Sequence, residues 1–133
     1  MQKTVVIQSS HDLVHTLCKE LLQEAKSNHF SQDDLFGIHL SIEEAMINAV
    51  RHGNNDDPLK KVRISYTITP SIFDISIEDE GCGFRPARVP DPRCGENLYK
   101  VTGRGVLLMK AYMDSVEYNE MGNRVRMIKH KTR

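Results

Sequence analysis

The chain has 133 residues, with 18 Lys plus Arg against 18 Asp plus Glu, and so no formal net charge. That length predicts one compact domain, residues 1–133, and the balance excludes both a chain basic all over, as many nucleic-acid binders are, and an acidic tail protein. A composition of 39% hydrophobic and 27% charged residues is that of a soluble globular chain, and the absence of Trp argues against stacking on nucleic-acid bases.

In chain order, Lys3 to Gln8 predicts a short strand, with an apolar run too brief for a signal peptide or a membrane span. A first helix follows from about Asp12 to Ser27, where Leu13, Leu17, Leu21, Leu22 and Ala25 keep a helical period. Ser31 is the predicted N-cap of a second helix, with Asp34 at its third position and Phe30 set to staple onto Leu35. That helix carries Leu35, Ile38, Ile42, Ala45, Met46 and Ala49 on one side and stops at the turn cluster Gly53-Asn54-Asn55-Asp56-Asp57-Pro58.

Two strands alternate next. Val62, Ile64, Tyr66 and Ile68 form one apolar row, and Phe73, Ile75 and Ile77 form the other; the short Pro70-Ser71 link predicts an antiparallel hairpin. Residues 80 to 104 are rich in Gly, Pro and Arg without a period, and a loop of that length in a small domain predicts a functional lid. A third helix from Val106 to Met113 and two closing strands, Ser115 to Asn119 and Arg124 to Lys129, complete the order. Hairpins grouped together, with helices outside them, predict an α+β two-layer sandwich: a mostly antiparallel sheet covered by helices on one face. Cys18, Cys82 and Cys94 are odd in number and widely spaced, so neither a disulfide framework nor a cysteine zinc site is indicated, and reduced thiols in a cytoplasm are expected.

Three segments break the amphipathic pattern. Glu44, Asn48 and His52, spaced by four, form a line beside the apolar stripe of the second helix. There an amide can offer a hard cation an oxygen, and a carboxylate one turn away can deprotonate a hydroxyl or water. In Asp79-Glu80-Gly81-Cys82-Gly83, Asp79 shares strand parity with Phe73, Ile75 and Ile77 and so points to their face. A carboxylate there needs a donor such as the exocyclic amine of a base, and the glycines allow close backbone approach. Gly103-Arg104-Gly105 opens a helix whose free N–H groups can cradle phosphate, with Lys100 and Arg104 adding positive charge. Each pattern alone is weak, since a polar helix edge, a strand-ending turn and a glycine cap would read the same. Together they supply base recognition, metal, general base and phosphate cradle.

In these boxes and their order the sequence resembles the GHKL ATP-binding superfamily of gyrase, heat-shock chaperones, histidine kinases and mismatch-repair ATPases. Within it, Glu44 through His52-Gly53 and Gly103 through Tyr118 resemble the bacterial anti-sigma-factor serine/threonine kinases of sporulation and stress-response switches, over nearly the whole chain. The resemblance implies an ATP-binding α/β sandwich with a lid at about 84–102 and ATP and Mg2+ as ligands. It assigns Asn48 to Mg2+, Glu44 as base towards the attacking hydroxyl, and Asp79 to the adenine amino group. Gly81 and Gly83 would pass close to the base, Gly103 and Gly105 would anchor the lid and cradle phosphate, and His52, Lys100, Thr102, Arg104 and Val106 would join the ATP-binding set. It further implies a cytoplasmic enzyme that phosphorylates a Ser or Thr on a STAS-type anti-anti-sigma protein and sequesters a sigma factor, in a family where homodimers are common and neither nucleic acid nor membrane is a partner.

The chain departs from this pattern in the last hairpin, where Gly122 is followed by Asn123 and Arg124 rather than the Thr that many relatives carry near adenine. The alternative to a kinase is an ATP-binding regulatory module that acts by protein binding alone, since the same residues serve binding and catalysis. A zinc enzyme built on His11 and His15 is a distant third reading, because no convincing third ligand follows that pair.

Overall fold

The computed structural model describes residues 2–81 and 104–132. In chain order these form β1 (Lys3–Gln8), α1 (His11–Ser27), α2 (Gln32–Asn48), a π-helical turn (Ala49–Gly53), β2 (Lys61–Ile68), β3 (Ile72–Asp79), α3 (Arg104–Tyr112), β4 (Ser115–Tyr118) and β5 (Arg124–His130). The strands make one five-stranded sheet in the order β1-β2-β3-β5-β4. All its described pairings are antiparallel, which matches the two-layer α+β expectation.

Local chemistry accounts for the elements. Ser31 caps α2 by accepting from the Asp34 N–H at 3.1 Å, and Ser10 caps α1 in the same way through Leu13 N–H. Phe30 is buried in the core, and Leu35 packs against that core. The β2–β3 hairpin closes on the Thr69 hydroxyl, which accepts from the Ser71 and Ile72 amides. In the β4–β5 hairpin the Asn119 side-chain oxygen accepts from the amides of Gly122, Asn123 and Arg124, and Gly122 takes a positive φ of 76°.

One sheet face is apolar and covered. Val62, Ile64, Phe73, Ile75, Ile77, Val125 and Met127 are buried in one cluster with Val14, Leu17 and Leu21 of α1 and Ile38, Ile42 and Met46 of α2. On the other face, Arg63, Ser65, Asp74, Glu78 and Arg126 alternate with them. The third helix begins at Arg104, ahead of the expected Val106, and Met113 is buried just beyond its end. Gly37 lets α2 approach α3, since a methyl group there would come within 3.0 Å of the Tyr112 ring.

Candidate functional site

The site is assembled where the end of α2 meets the end of β3. Glu44 and Asn48 lie one turn apart on α2 and are both half-buried. The Asn48 amide nitrogen is buried and has no hydrogen-bond partner among the described residues, a costly state for a donor unless a ligand accepts from it. Tyr118, at the end of β4, faces the same region: burial first and the Glu44 carboxylate second push its hydroxyl up to about 12.

Beyond Asn48 the helix widens. Residues Ala49–Gly53 form a π turn, closed by the Asn54 N–H on the Ala49 carbonyl at 2.8 Å. The i, i+4 line read from Glu44 through His52 therefore holds for Glu44 and Asn48, whereas His52 sits on the wider turn and leaves that line. The π turn carries Gly53 against Asp79. A methyl on Gly53 would overlap the Asp79 carboxylate, and one on Gly81 would overlap the Gly53 carbonyl oxygen. Two glycines of separate boxes thus let two chain segments touch.

Asp79 projects to the apolar side of β3, as its parity required. Its Oδ1 accepts from the Gly81 N–H at 2.8 Å. Burial, reinforced by Glu78, raises its carboxyl to about 7, against the lowering effect of that hydrogen bond and of Lys60. Its backbone is gripped by the turn before β5: Asp79 N–H donates to the Asn123 carbonyl at 2.9 Å, and Asn123 Nδ2 donates to the Asp79 carbonyl at 3.1 Å. The Asn123 side-chain oxygen accepts from Asn119 Nδ2. Asn123, which stands where many relatives carry Thr, supports the strand end that carries Asp79.

Residues missed in the sequence complete the framework. Asn54, wholly buried, donates to Ser9 Oγ and the Lys61 carbonyl and accepts from the Glu80 N–H. The Glu80 carboxylate accepts from the Lys61 N–H. Within Gly-Asn-Asn-Asp-Asp-Pro, Asn54 has the composition of an exposed turn residue, and no local signal marks it as buried.

Of the other candidate residues, Gly83, Lys100, Thr102 and Gly103 and the expected lid at 84–102 lie outside the described residues, as do Cys82 and Cys94. Arg104, Gly105 and Val106 form the first turn of α3. Cys18 is buried against Met46, and burial, then Glu43, pushes its thiol up to about 12, which makes it an inert core residue. His11 pairs with Asp56 at 3.1 Å. No group of three His, Cys, Asp or Glu side chains is arranged to hold a metal ion among the described residues, and no described helix is long and apolar enough to cross a membrane.

Comparison with known proteins shows the family and the fold. The histidine kinase-like ATPase domain family matches residues 7–129. The anti-sigma F factor of Bacillus subtilis (strain 168) is 33% identical over 106 residues, covering 75% of this chain and 72% of that protein. That of Geobacillus sp. (strain WCH70) is 35% identical over 89 residues, 65% of this chain and 60% of that protein. A solved structure of the RsbU and RsbW domains of a Mycobacterium tuberculosis protein shares the fold, with a TM-score of 0.66 at 13% identity; the match covers 98% of this chain and 32% of that one.

Proposed function

The chain belongs to the histidine kinase-like ATPase family, and from that premise we propose that it is an anti-sigma-factor serine/threonine kinase of the cytoplasm. It binds ATP with Mg2+, phosphorylates a Ser or Thr of a STAS-type anti-anti-sigma protein, and sequesters a sigma factor. The relatives named anti-sigma F factor support the class of partner. The observation that carries the nucleotide assignment is the meeting of Asp79, Gly53 and Gly81 beside the α2 turn that bears Glu44 and Asn48.

In this reading Asp79 accepts a hydrogen bond from the adenine amino group, and Gly81 and Gly83 let the chain lie against the base. A buried carboxyl is a selective acceptor here, because a base without that donor leaves it unpaired. Gly103, Arg104, Gly105 and Val106 supply helix-start amides for phosphate, joined by His52, Lys100 and Thr102.

The donor set fits a magnesium ion that keeps most of its ligands as water and phosphate. The Asn48 amide would hold it through its oxygen, while its unpaired nitrogen is free to donate to a phosphate oxygen. The ion would neutralise charge on the transferring phosphoryl group. Glu44 takes the proton of the attacking Ser or Thr hydroxyl as its oxygen bonds to the γ-phosphorus and ADP leaves. Residues 1–133 act as one ATP-binding unit with its lid at 84–102, and a homodimer is part of the same proposal.

The test is transfer from γ-labelled ATP and Mg2+ to a candidate STAS protein. The wild type is expected to label a Ser or Thr, and Glu44→Gln to bind ATP with unchanged affinity yet lose transfer by at least about a hundredfold, the usual scale of a general base. Tight ATP binding with no labelled partner would instead favour a module that acts by binding alone.

A further inference from the structure

Two segments remote in sequence must meet for the proposed nucleotide site to exist: the end of α2 and the end of β3. We propose that Asn54 is the positioning residue that joins them, an inference that rests on the nucleotide-site reading above.

Asn54 is 0% exposed. Its Oδ1 accepts from the Glu80 N–H at 2.8 Å, and its Nδ2 donates to the Lys61 carbonyl at 3.0 Å and to Ser9 Oγ at 2.9 Å. Ser9 Oγ in turn donates to the Lys60 carbonyl at 2.9 Å. The backbone N–H of Asn54 closes the π turn on Ala49. One side chain thus ties the β1–α1 junction, the start of β2 and the end of β3 to the last turn of the α2 segment.

Both amide hydrogens and the oxygen are engaged, so the side chain has a single orientation, and a buried polar network satisfied in this way specifies one arrangement of its partners. The held amide belongs to Glu80, between Asp79 and Gly81. Fixing it orients the Gly81 N–H that caps Asp79 Oδ1. Gly53, the neighbour of Asn54, packs on the same carboxylate. Asn54 touches neither base nor phosphate in this account; it sets where Asp79 stands relative to Asn48 and Glu44.

The test compares Asn54→Ala with Ser9→Ala, which removes one partner of the amide but leaves the Asn54–Glu80 hydrogen bond. Both are measured at a temperature where circular dichroism shows them folded. In the nucleotide-free protein, Asn54→Ala is expected to speed hydrogen exchange at the Glu80 and Gly81 amides and to weaken ATP–Mg2+ binding, each by about tenfold or more, the scale of one lost buried hydrogen bond. Ser9→Ala is expected to lower Tm while leaving exchange at those amides and ATP affinity within about twofold.

Unchanged exchange at Glu80 and Gly81 in Asn54→Ala would overturn the proposal, and so would equal affinity losses in the two variants, the mark of a general loss of stability. If Asn54→Ala does not fold, the wild type decides: the Glu80 amide, just beyond the end of β3, should exchange slowly because the Asn54 oxygen accepts from it, and fast exchange there would overturn the proposal. A wild type that binds no ATP would sink the nucleotide reading, while the exchange measurement would still decide whether Asn54 holds the strand end.

Discussion

Asp79 is a carboxyl enclosed by two glycines, and the surrounding backbone leaves it little room. Replacing Gly53 by Ala puts a methyl group into the carboxylate, so Gly53→Ala is predicted to weaken ATP binding by about tenfold or more while the helices and sheet persist, a difference that titration calorimetry and circular dichroism resolve together. Asp79 also carries a pH signature. A carboxyl raised to about 7 in the folded chain, above its ordinary 3.8, takes up a proton on folding between those values. The stability it contributes is therefore full below the unfolded value and is lost as pH rises through about 7. Asp79→Asn keeps an acceptor for Gly81 but cannot ionise, so its Tm should gain on the wild type from pH 5 to pH 8 and gain no more above that. A constant Tm difference across this range would contradict the burial of the charge. The orientation of Asp79 was legible from strand parity alone. The roles of Asn54 and Asn123 were not, because both lie in turn-like sequence and their partners are 26 and 44 residues away; nothing local encodes such a contact.

At the scale of elements, capping and periodicity were readable because they are local. The Ser31 cap and the alternation in β2 and β3 appear in the structure as the residues imply. The π turn after Asn48 was not readable, since a widened helical turn has the composition of an ordinary one. The position of Asp34 was only half read. Beyond its place in the first turn of α2, it receives the chain's C-terminal segment: Thr132 donates to it through its amide at 2.9 Å and its hydroxyl at 2.6 Å, with Lys129 at 3.8 Å. Lys131 meanwhile lies over the Phe30 ring and donates to the Asn28 carbonyl. Burial alone would raise the Asp34 carboxyl, but the Thr132 hydrogen bonds and Lys129 outweigh it and hold it below its ordinary value. Its contribution is thus present above the unfolded value and is lost as pH falls through the lowered one. Asp34→Ala is predicted to cost about 1–3 kcal/mol of stability at neutral pH, the scale of the hydrogen bonds to a charged group that it removes. The deficit in a denaturant titration should shrink on acidification, with ATP affinity unchanged.

At the scale of the whole molecule, the neutral total conceals local order. On the polar sheet face, Arg126 grips Asp74 of the neighbouring strand through two guanidinium contacts, at 3.1 and 2.7 Å. The zero formal net charge likewise offers no excess of cations to attract a polyanion. A nucleotide needs less: in the proposed site, a carboxyl for the base, an amide for a cation and helix-start amides for phosphate would serve. The fold followed from the grouping of hairpins and helices in the chain, whereas the closure of that site depends on long-range hydrogen bonds that sequence spacing does not reveal. Titration of ATP with Mg2+ into the wild type and Asp79→Asn by isothermal calorimetry tests this account most directly. It predicts saturable one-site binding to the wild type and none to Asp79→Asn; equal affinity in the two, or no binding to the wild type, would contradict it.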